Sequence, residues 1–446
     1  MSTAVPVRQL TFLQTFAILV GTVIGSGVFL SLPIVARIAG SPGMSILIWV
    51  LGGLLWIPQV LLLAEMGSAY PTQGACYVYL QKAGSPFLAF VYTWTAFLTS
   101  DTPTITIVSL SAMAALKIFS PLFGDPLNAR LCAAAMIALF TWVHVRSVRT
   151  GGNLQIVITA AKMIPLLLIV GVGLGSLTSG NITFAIPEGF LAQTSLPALL
   201  TAGVSSTLWS YAGFTNILYV AGEVKNPERV LPRALVGSLI FVTAGYALVS
   251  SCTAALVPHQ ELTGASGEFV NPFMYVPTFA GIAGGLFAVG AFVSMLGVLN
   301  AAILTQPRLE YAIARDGLFF PVFGVLHPRY GTPAPSIMIQ SALAILLFLL
   351  GDLENMLGYF TLSYALQNAL LYGAIFFLRR KPQYAPPYRA PLWGVMGVLA
   401  VAIQLFLAGG TFLAYPTSGL LVSGGLILTG LPIYLYYRRT FAHADA

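Results

Sequence analysis

The strongest constraint on this chain is a succession of long apolar stretches that do not alternate with polar residues. Twelve can be read: Leu10–Ala39, Met44–Met66, Phe87–Ile118, Leu131–His144, Leu154–Leu174, Pro197–Gly222, Ala234–Val257, Ile282–Leu304, Ile337–Leu350, Met356–Leu378, Trp393–Leu413 and Leu420–Tyr437. A helix needs about 20 apolar residues to cross the hydrocarbon of a bilayer, whereas a barrel strand needs about 10 in alternation. The pattern therefore predicts a bundle of about 12 membrane helices and excludes a barrel. The fourth and ninth stretches are short and are expected to extend into their flanks. Only 7 % of the 446 residues are Asp, Glu, Lys or Arg, against about 25 % in a soluble domain. That scarcity excludes a soluble enzyme, a nucleic-acid binder and a disordered chain.

The basic residues then set the topology. With the N-terminus inside, sixteen of the twenty Lys and Arg fall on the cytoplasmic side, including Arg8, Lys225, Arg308, Arg379 and Arg389. Arg37, Lys117 and Arg130 fall outside, and Lys162 lies within a membrane segment. So strong a positive-inside bias places both termini in the cytoplasm. External loops hold Asp125, Glu188, Glu261, Glu268, Asp352 and Glu354, and the loop Pro258–Gly281 is long enough to form a partial lid. No cleaved signal peptide is read, and no linker separates a second domain. Cys76, Cys132 and Cys252 are odd in number and lack metal-ligand spacing, so neither a disulfide framework nor a metal site is expected.

Three features depart from a plain hydrophobic helix. The first stretch carries Gly21, Gly25, Ser26 and Gly27 near its middle. Glycines there invite unwinding, and unwound backbone at membrane depth survives only where it lines a cavity or is buried in protein. The half-helix restarting at Gly27 or Val28 would aim free N–H groups and a positive dipole end at an anion. Close helix packing, with the Gly21–Gly25 spacing, is the plainer alternative. The sixth stretch is interrupted similarly around Ser210, Tyr211, Gly213 and Thr215. Two broken helices, five segments apart, point to a transporter built from inverted repeats.

Lys162 lies about two turns into the fifth stretch. A buried ammonium is costly unless carbonyls or a carboxylate receive it, so a functional role outweighs snorkelling to the interface. Asp101 lies midway through the third stretch. It can contact a cationic group, pair with Lys162, carry a proton, or cap a helix restarting at Pro103; the capping role is preferred. Glu65 is expected at the interface. His144, His259, His327 and His443 fall at segment ends or in loops, and none is expected to relay protons. No nucleophile–base pair, metal cluster or phosphate loop shares a compartment, so no enzyme activity and no cofactor are expected.

The motifs VIGSGVF (23–29), EVKNPERVLPRA (223–234) and PRLEYAIARDGLFF (307–320) resemble those of the amino acid–polyamine–organocation superfamily. More closely they resemble the prokaryotic L-amino acid transporter (LAT) family, which includes bacterial serine/threonine and alanine-serine-cysteine exchangers. The resemblance covers nearly the whole chain. It implies an all-α, leucine-transporter-type fold: a first repeat over residues 10–176, a second over 196–378, and two appended helices over 392–438. It also implies sodium-independent exchange of small to medium neutral L-amino acids by alternating access. At matched positions it implies that Gly25, Ser26 and Gly27 hold the substrate carboxylate. The carbonyls of Val23, Trp209 and Ala212 would take the ammonium. Tyr211 and Gly213 would complete the site, and Phe214 would serve as pocket wall or gate. Lys162 would occupy the place of a sodium ion, with first-helix carbonyls and groups near Ser294 as its partners.

Asp101 departs from the family pattern and bears on strict neutrality of the substrate. The loop Phe119–Arg130 has no cysteine, so no disulfide-linked heavy subunit is expected. The implied partners are amino acid substrates and the lipid bilayer, with no nucleic acid, and the implied location is the inner (plasma) membrane. The rival readings are a proton-coupled symporter, a carrier of cationic amino acids or polyamines, and a channel or receptor on the same scaffold.

Overall fold

The computed structural model describes residues 8–25, 27–176, 182–186, 195–264, 271–350, 353–414 and 424–442. Ser26, Glu188, Glu268, Asp352, His443 and most of the polar loop Leu177–Ser195 lie outside the described residues. Among the described residues the chain is helical, and its one ladder contact is an isolated parallel bridge between Leu10 and Val224.

The first apolar stretch is two helices, α1 (Phe12–Val23) and α2 (Gly27–Ala39). Thr11 and Gln14 form a capping box that fixes where α1 begins. Next come α3 (Pro42–Ala69) and the short α4 (Ala75–Ala83). The third stretch is α5 (Pro86–Thr95), a π-turn over Ala96–Asp101, and α6 (Thr102–Ala115). Pro103 has no N–H to offer the preceding turn, and a widened turn before it absorbs the mismatch. The fourth stretch is longer than its apolar run, α7 (Pro126–Arg146), and is followed by α8 (Val148–Ser176).

The sixth stretch is broken into α9 (Leu196–Leu208), a 3₁₀ turn at Trp209–Tyr211, and α10 (Asn216–Tyr219). After it run α11 (Pro227–Leu256), α12 (His259–Gly264), α13 (Ala283–Thr305) and α14 (Pro307–Arg315). The chain ends with α15 (Ala334–Leu350), α16 (Leu353–Leu378), α17 (Trp393–Ala414) and α18 (Gly425–Ala442). The ninth stretch thus gains a few residues at its start.

Seven of the described helices are long and apolar enough to cross a membrane. Large apolar side chains point outward from α7 and α8: Leu131, Leu139, Trp142, Val157, Ile164 and Leu167 are all more than half exposed. In water such a face would be prohibitive, whereas in lipid tails it is the expected exterior. The interior is held by close approach at small residues. A Cβ on Gly52 would lie 2.1 Å from Thr207 Oγ1, and one on Gly53 would lie 2.3 Å from Thr243 Oγ1. These adjacent glycines let α3 seat against α9 on one side and α11 on the other. Similarly, a Cβ on Gly21 would lie 1.8 Å from Gln155 Nε2, so α1 rests almost backbone-to-side-chain on α8. Leu262 of α12 packs with Ala36 and Val257 over the outer end of α2.

Glu65 stands one turn from the end of α3, and it is not an open surface charge. It is fully buried and accepts four hydrogen bonds: from Arg379 Nε (2.7 Å), Arg379 Nη2 (2.6 Å), Tyr384 Oη (3.1 Å) and the Ala390 amide (2.7 Å). Burial and the adjoining carboxylate push the Tyr384 phenol up, so it remains a donor. The whole 379–390 connection is thereby fastened to the end of α3.

Two stability predictions follow from this packing. Arg379→Ala leaves a buried carboxylate without its counter-ion and should cost about 3 kcal/mol or more. Gly21→Ala should lower the melting midpoint of the purified protein by about 3 °C or more, because Gln155 must move. Gly25→Ala should leave it unchanged, since a Cβ there meets only Val298 at 3.6 Å. Thermal unfolding of the three variants in one detergent checks both.

Candidate functional site

The break in the first helix is built by short backbone contacts. α1 ends at Val23, Ile24 leaves the helical region at φ −76° and ψ 89°, and the Gly25 amide donates back to the Val23 carbonyl at 2.9 Å. The sixth helix breaks where Gly213 takes φ +120°, a conformation that disfavours any side chain. Its amide donates to Tyr364 Oη at 3.1 Å, and Thr215 Oγ1 donates to Asn368 Oδ1 at 3.0 Å. Both anchors lie on α16.

The two breaks face one cavity of about 290 Å³. Thr22, Val23, Gly25 and Gly27 line it from the first helix, and Ser210, Ala212, Gly213 and Asn216 from the sixth. Asp101, Met295, Gln306 and Tyr364 contribute from the surrounding helices. Its size suits one small molecule. The amino end of α2 opens onto it at Gly27, where the first-turn N–H groups of a helix and its dipole favour an anionic group.

Lys162 lies behind the break, 2 % exposed. Its Nζ donates to the Gly21 carbonyl at 2.8 Å and to the Ile24 carbonyl. Ser294 Oγ donates to the same Ile24 carbonyl at 3.2 Å. The structure therefore brings Lys162 and Ser294 together on one acceptor freed by the unwinding. One and two turns along α1, Thr159 Oγ1 donates to Ala17 O at 3.1 Å, and Gln14 Nε2 donates to Asn153 Oδ1 at 2.7 Å. A polar stripe of α8 thus follows α1 along its length. It continues through Gln155 Oε1, which accepts from Asn300 Nδ2 at 2.6 Å, to His144 Nε2, 3.0 Å from Asn300 Oδ1. His144, expected at a segment end, is fully buried by this contact.

Several expected site residues stand elsewhere. Tyr211 is buried, donates to the Trp49 carbonyl at 2.8 Å and does not line the cavity. Phe214 is buried 5.6 Å from Trp56 and is likewise outside the cavity wall. The 3₁₀ turn and the positive φ at Gly213 rotate both rings toward α3, and Ser210, Ala212 and Gly213 are the described residues of the break that face the cavity. The side chain of Trp209 is not described. Val23 does line the cavity, but its carbonyl already receives the Gly25 amide and Tyr246 Oη at 3.2 Å.

Tyr246 was not singled out in the sequence. Its hydroxyl lies 3.2 Å from Val23 O and 2.9 Å from Ser210 O, bridging the two breaks. A lone phenol inside an apolar segment was the available signal. Asp101 does not cap α6: the π-turn keeps the chain helical through it, and its side chain makes no cap bond. Its Oδ2 has no hydrogen-bond partner, and the residue lines the cavity at 5 % exposure.

The cytoplasmic end, as read from charge, is closed beneath this cavity. Amides of Gln9 and Leu10 donate to the Glu223 carbonyl at 2.8 and 2.9 Å, and Lys225 N returns to Leu10 O at 2.9 Å. The Glu223 carboxylate accepts from Arg308 Nε at 3.0 Å and Gln73 Nε2 at 2.6 Å. Arg308, counted with the cytoplasmic basic residues, is fully buried against Glu223. Glu310, one helical turn from the cavity-lining Gln306, is also fully buried with neither carboxyl oxygen bonded.

Comparison with known proteins agrees with this architecture. The profile described as amino acid permease matches residues 10–436. The serine/threonine exchanger SteT of Bacillus subtilis is 30 % identical over 434 residues, covering 96 % of each chain. The mouse b(0,+)-type amino acid transporter 1 is 29 % identical over 449 residues, covering 98 % of this chain and 89 % of the relative. The human Asc-type amino acid transporter 1 is 26 % identical over 437 residues, covering 96 % and 82 %. The chain is a multi-pass membrane transporter that belongs to the amino acid permease family of the amino acid–polyamine–organocation superfamily.

Proposed function

We propose that this protein is a sodium-independent exchanger of small to medium neutral L-amino acids in the inner (plasma) membrane, with both termini in the cytoplasm. Twelve spans would form two inverted five-helix repeats, residues 10–176 and 196–378, plus two appended helices over 392–438. The substrate carboxylate would lie at the amino end of α2, against Gly25–Gly27. The ammonium would lie toward the carbonyls of Trp209 and Ala212, since Val23 O is already engaged. No covalent heavy subunit is part of this reading, since the loop Phe119–Arg130 has no cysteine.

The observation that carries the proposal is the contact of Lys162 Nζ with the carbonyls of Gly21 and Ile24. A fixed ammonium there does what a bound cation would do: it holds the unwound segment without sodium. The serine/threonine exchanger among the relatives supports exchange rather than net uptake. Alternating access would separate Leu10 from Val224 and Glu223 from Arg308, opening the cavity to the cytoplasm.

Three outcomes test this. Uptake into proteoliposomes should rise several-fold with internal amino acid and be equal in sodium and choline buffers; loss of uptake in choline would refute the mechanism. Lys162→Ala should reach the membrane but exchange at least about ten-fold more slowly, because two freed carbonyls lose their donors. A cysteine placed at Arg389 should resist an impermeant thiol reagent added outside intact cells, and labelling there would reverse the topology.

A further inference from the structure

We propose that Glu310 is a proton-binding site beneath the cavity, loaded when the cytoplasmic side is closed and emptied when it opens, so that internal pH sets the rate of exchange. The inference rests on the alternating-access reading above and adds a regulating ligand, the cytoplasmic proton, at a place outside the cavity lining.

Among the described residues four carboxyl groups are buried, those of Glu65, Asp101, Glu223 and Glu310. Two of them are provided for as carboxylates. Glu65 takes four hydrogen bonds, and Glu223 takes Arg308 Nε at 3.0 Å and Gln73 Nε2 at 2.6 Å. Glu310 is fully buried, and neither of its carboxyl oxygens has a partner. Arg308, two residues earlier on α14, turns its guanidinium to Glu223 instead. A bare carboxylate so placed is costly, whereas the neutral acid is tolerated. The neutral acid is therefore the form this closed arrangement holds.

The surroundings are polar but supply no counter-ion. α14 meets α15 where Ser336 Oγ donates to the Pro307 carbonyl at 2.7 Å, and α15 meets α6 where Thr106 Oγ1 donates to the Ala344 carbonyl at 2.9 Å. Within one turn of these contacts lie Gln340, with both amide atoms buried and unpartnered, Thr102, with an unpartnered hydroxyl, and Gln306, with an unpartnered Oε1. That seam is polar enough to carry water to Glu310 when the helices part. Of the elements packed on α14, α13, α15 and the turn Pro321–Gly324 contain no ionisable side chain. α5 brings Tyr92, which meets Tyr219 Oη at 3.1 Å. α4 brings Cys76, Tyr77, Tyr79 and Lys82; Tyr77 donates to Asp316 Oδ2 at 3.0 Å, and Lys82 is exposed. On α14 itself Tyr311 and Arg315 act on each other. Asp101 is the ionisable group whose charge reaches Glu310, and it opposes a second negative charge.

Position gives the proton its side. Asp101 lines the cavity and Glu310 does not. Gln306, which does, stands four residues before Glu310 and so on the same helix face. Opening toward the cytoplasm parts Arg308 from Glu223 and admits water along that face. The carboxyl O–H then gives its proton to cytoplasmic water and leaves a hydrated carboxylate. Reclosing takes one proton back from the same side, so no proton crosses the membrane. An acid interior therefore speeds the return to the closed form, and an alkaline interior slows it.

The test is alanine exchange in proteoliposomes that hold the protein in one orientation, with internal and external pH set separately. Raising internal pH from about 6 to about 8 should slow exchange about three-fold or more, and the same change outside should have no effect. Glu310→Gln, which copies the neutral acid, should exchange at the acid-interior rate at both internal pH values. Asp101→Asn should keep the dependence on internal pH. An effect of external pH, an effect of internal pH that survives in Glu310→Gln, or none in the unaltered protein would overturn the proposal. Independently of transport, the infrared spectrum of the purified protein should show a neutral-carboxyl band that is missing from Glu310→Gln, and identical spectra would also overturn it. If Glu310→Gln does not fold, the sidedness of the pH effect in the unaltered protein decides alone. Absence of exchange at every pH would refute the exchange reading instead, and the infrared band would then decide the state of Glu310.

Discussion

Everything at the centre of this molecule depends on one ammonium group meeting the carbonyls of an unwound helix. Breaking α1 from α2 strips hydrogen-bond partners from Gly21 and Ile24 at a depth where water is scarce, and each bare carbonyl there costs several kcal/mol. Lys162 has three donors on a flexible stem and supplies both carbonyls, with Ser294 adding to the second. The interaction is mutual: an isolated lysine at that depth would be as costly as the bare carbonyls. Without either partner, the break between α1 and α2 has no stable form.

The remaining contacts divide around this point. On one side of α1, the stripe Asn153, Thr159 and Lys162 on α8 fastens the helix along its length. On the other, Tyr246 joins the two interrupted helices to each other through Val23 and Ser210. Beneath the cavity, the Leu10–Val224 pairing joins their continuations, and the Glu223–Arg308 ion pair ties them to α14. The broken helices are therefore cross-linked as a unit, which meets α8 along the polar stripe, α16 through Gly213 and Thr215, and α3 through Tyr211.

Sequence reasoning succeeded where a residue was expensive in its surroundings. Glycines in an apolar helix and a lysine at membrane depth carry a penalty that only a specific arrangement offsets, so Gly25, Gly27 and Lys162 were legible. It failed where direction mattered. Tyr211 and Phe214 flank the break as expected, but the local turn sends both rings toward α3. Partners distant in sequence were equally hidden. Glu65 meets Arg379, and Arg308 meets Glu223, through tertiary folding, so neither ion pair shows in the linear charge pattern. Asp101 looked like a cap because an acid two residues before a proline usually is one; the π-turn removed that role.

The most direct measurement is hydrogen–deuterium exchange of the 18–28 segment in lipid nanodiscs, comparing the unaltered protein with Lys162→Ala. If the ammonium holds the unwound backbone, amides around Gly21–Gly25 are protected in the unaltered protein with or without sodium. In Lys162→Ala those same amides should exchange at least about ten-fold faster, while α13 and α16 remain unchanged. Equal protection in both proteins, or protection that appears only when sodium is added, would contradict the account.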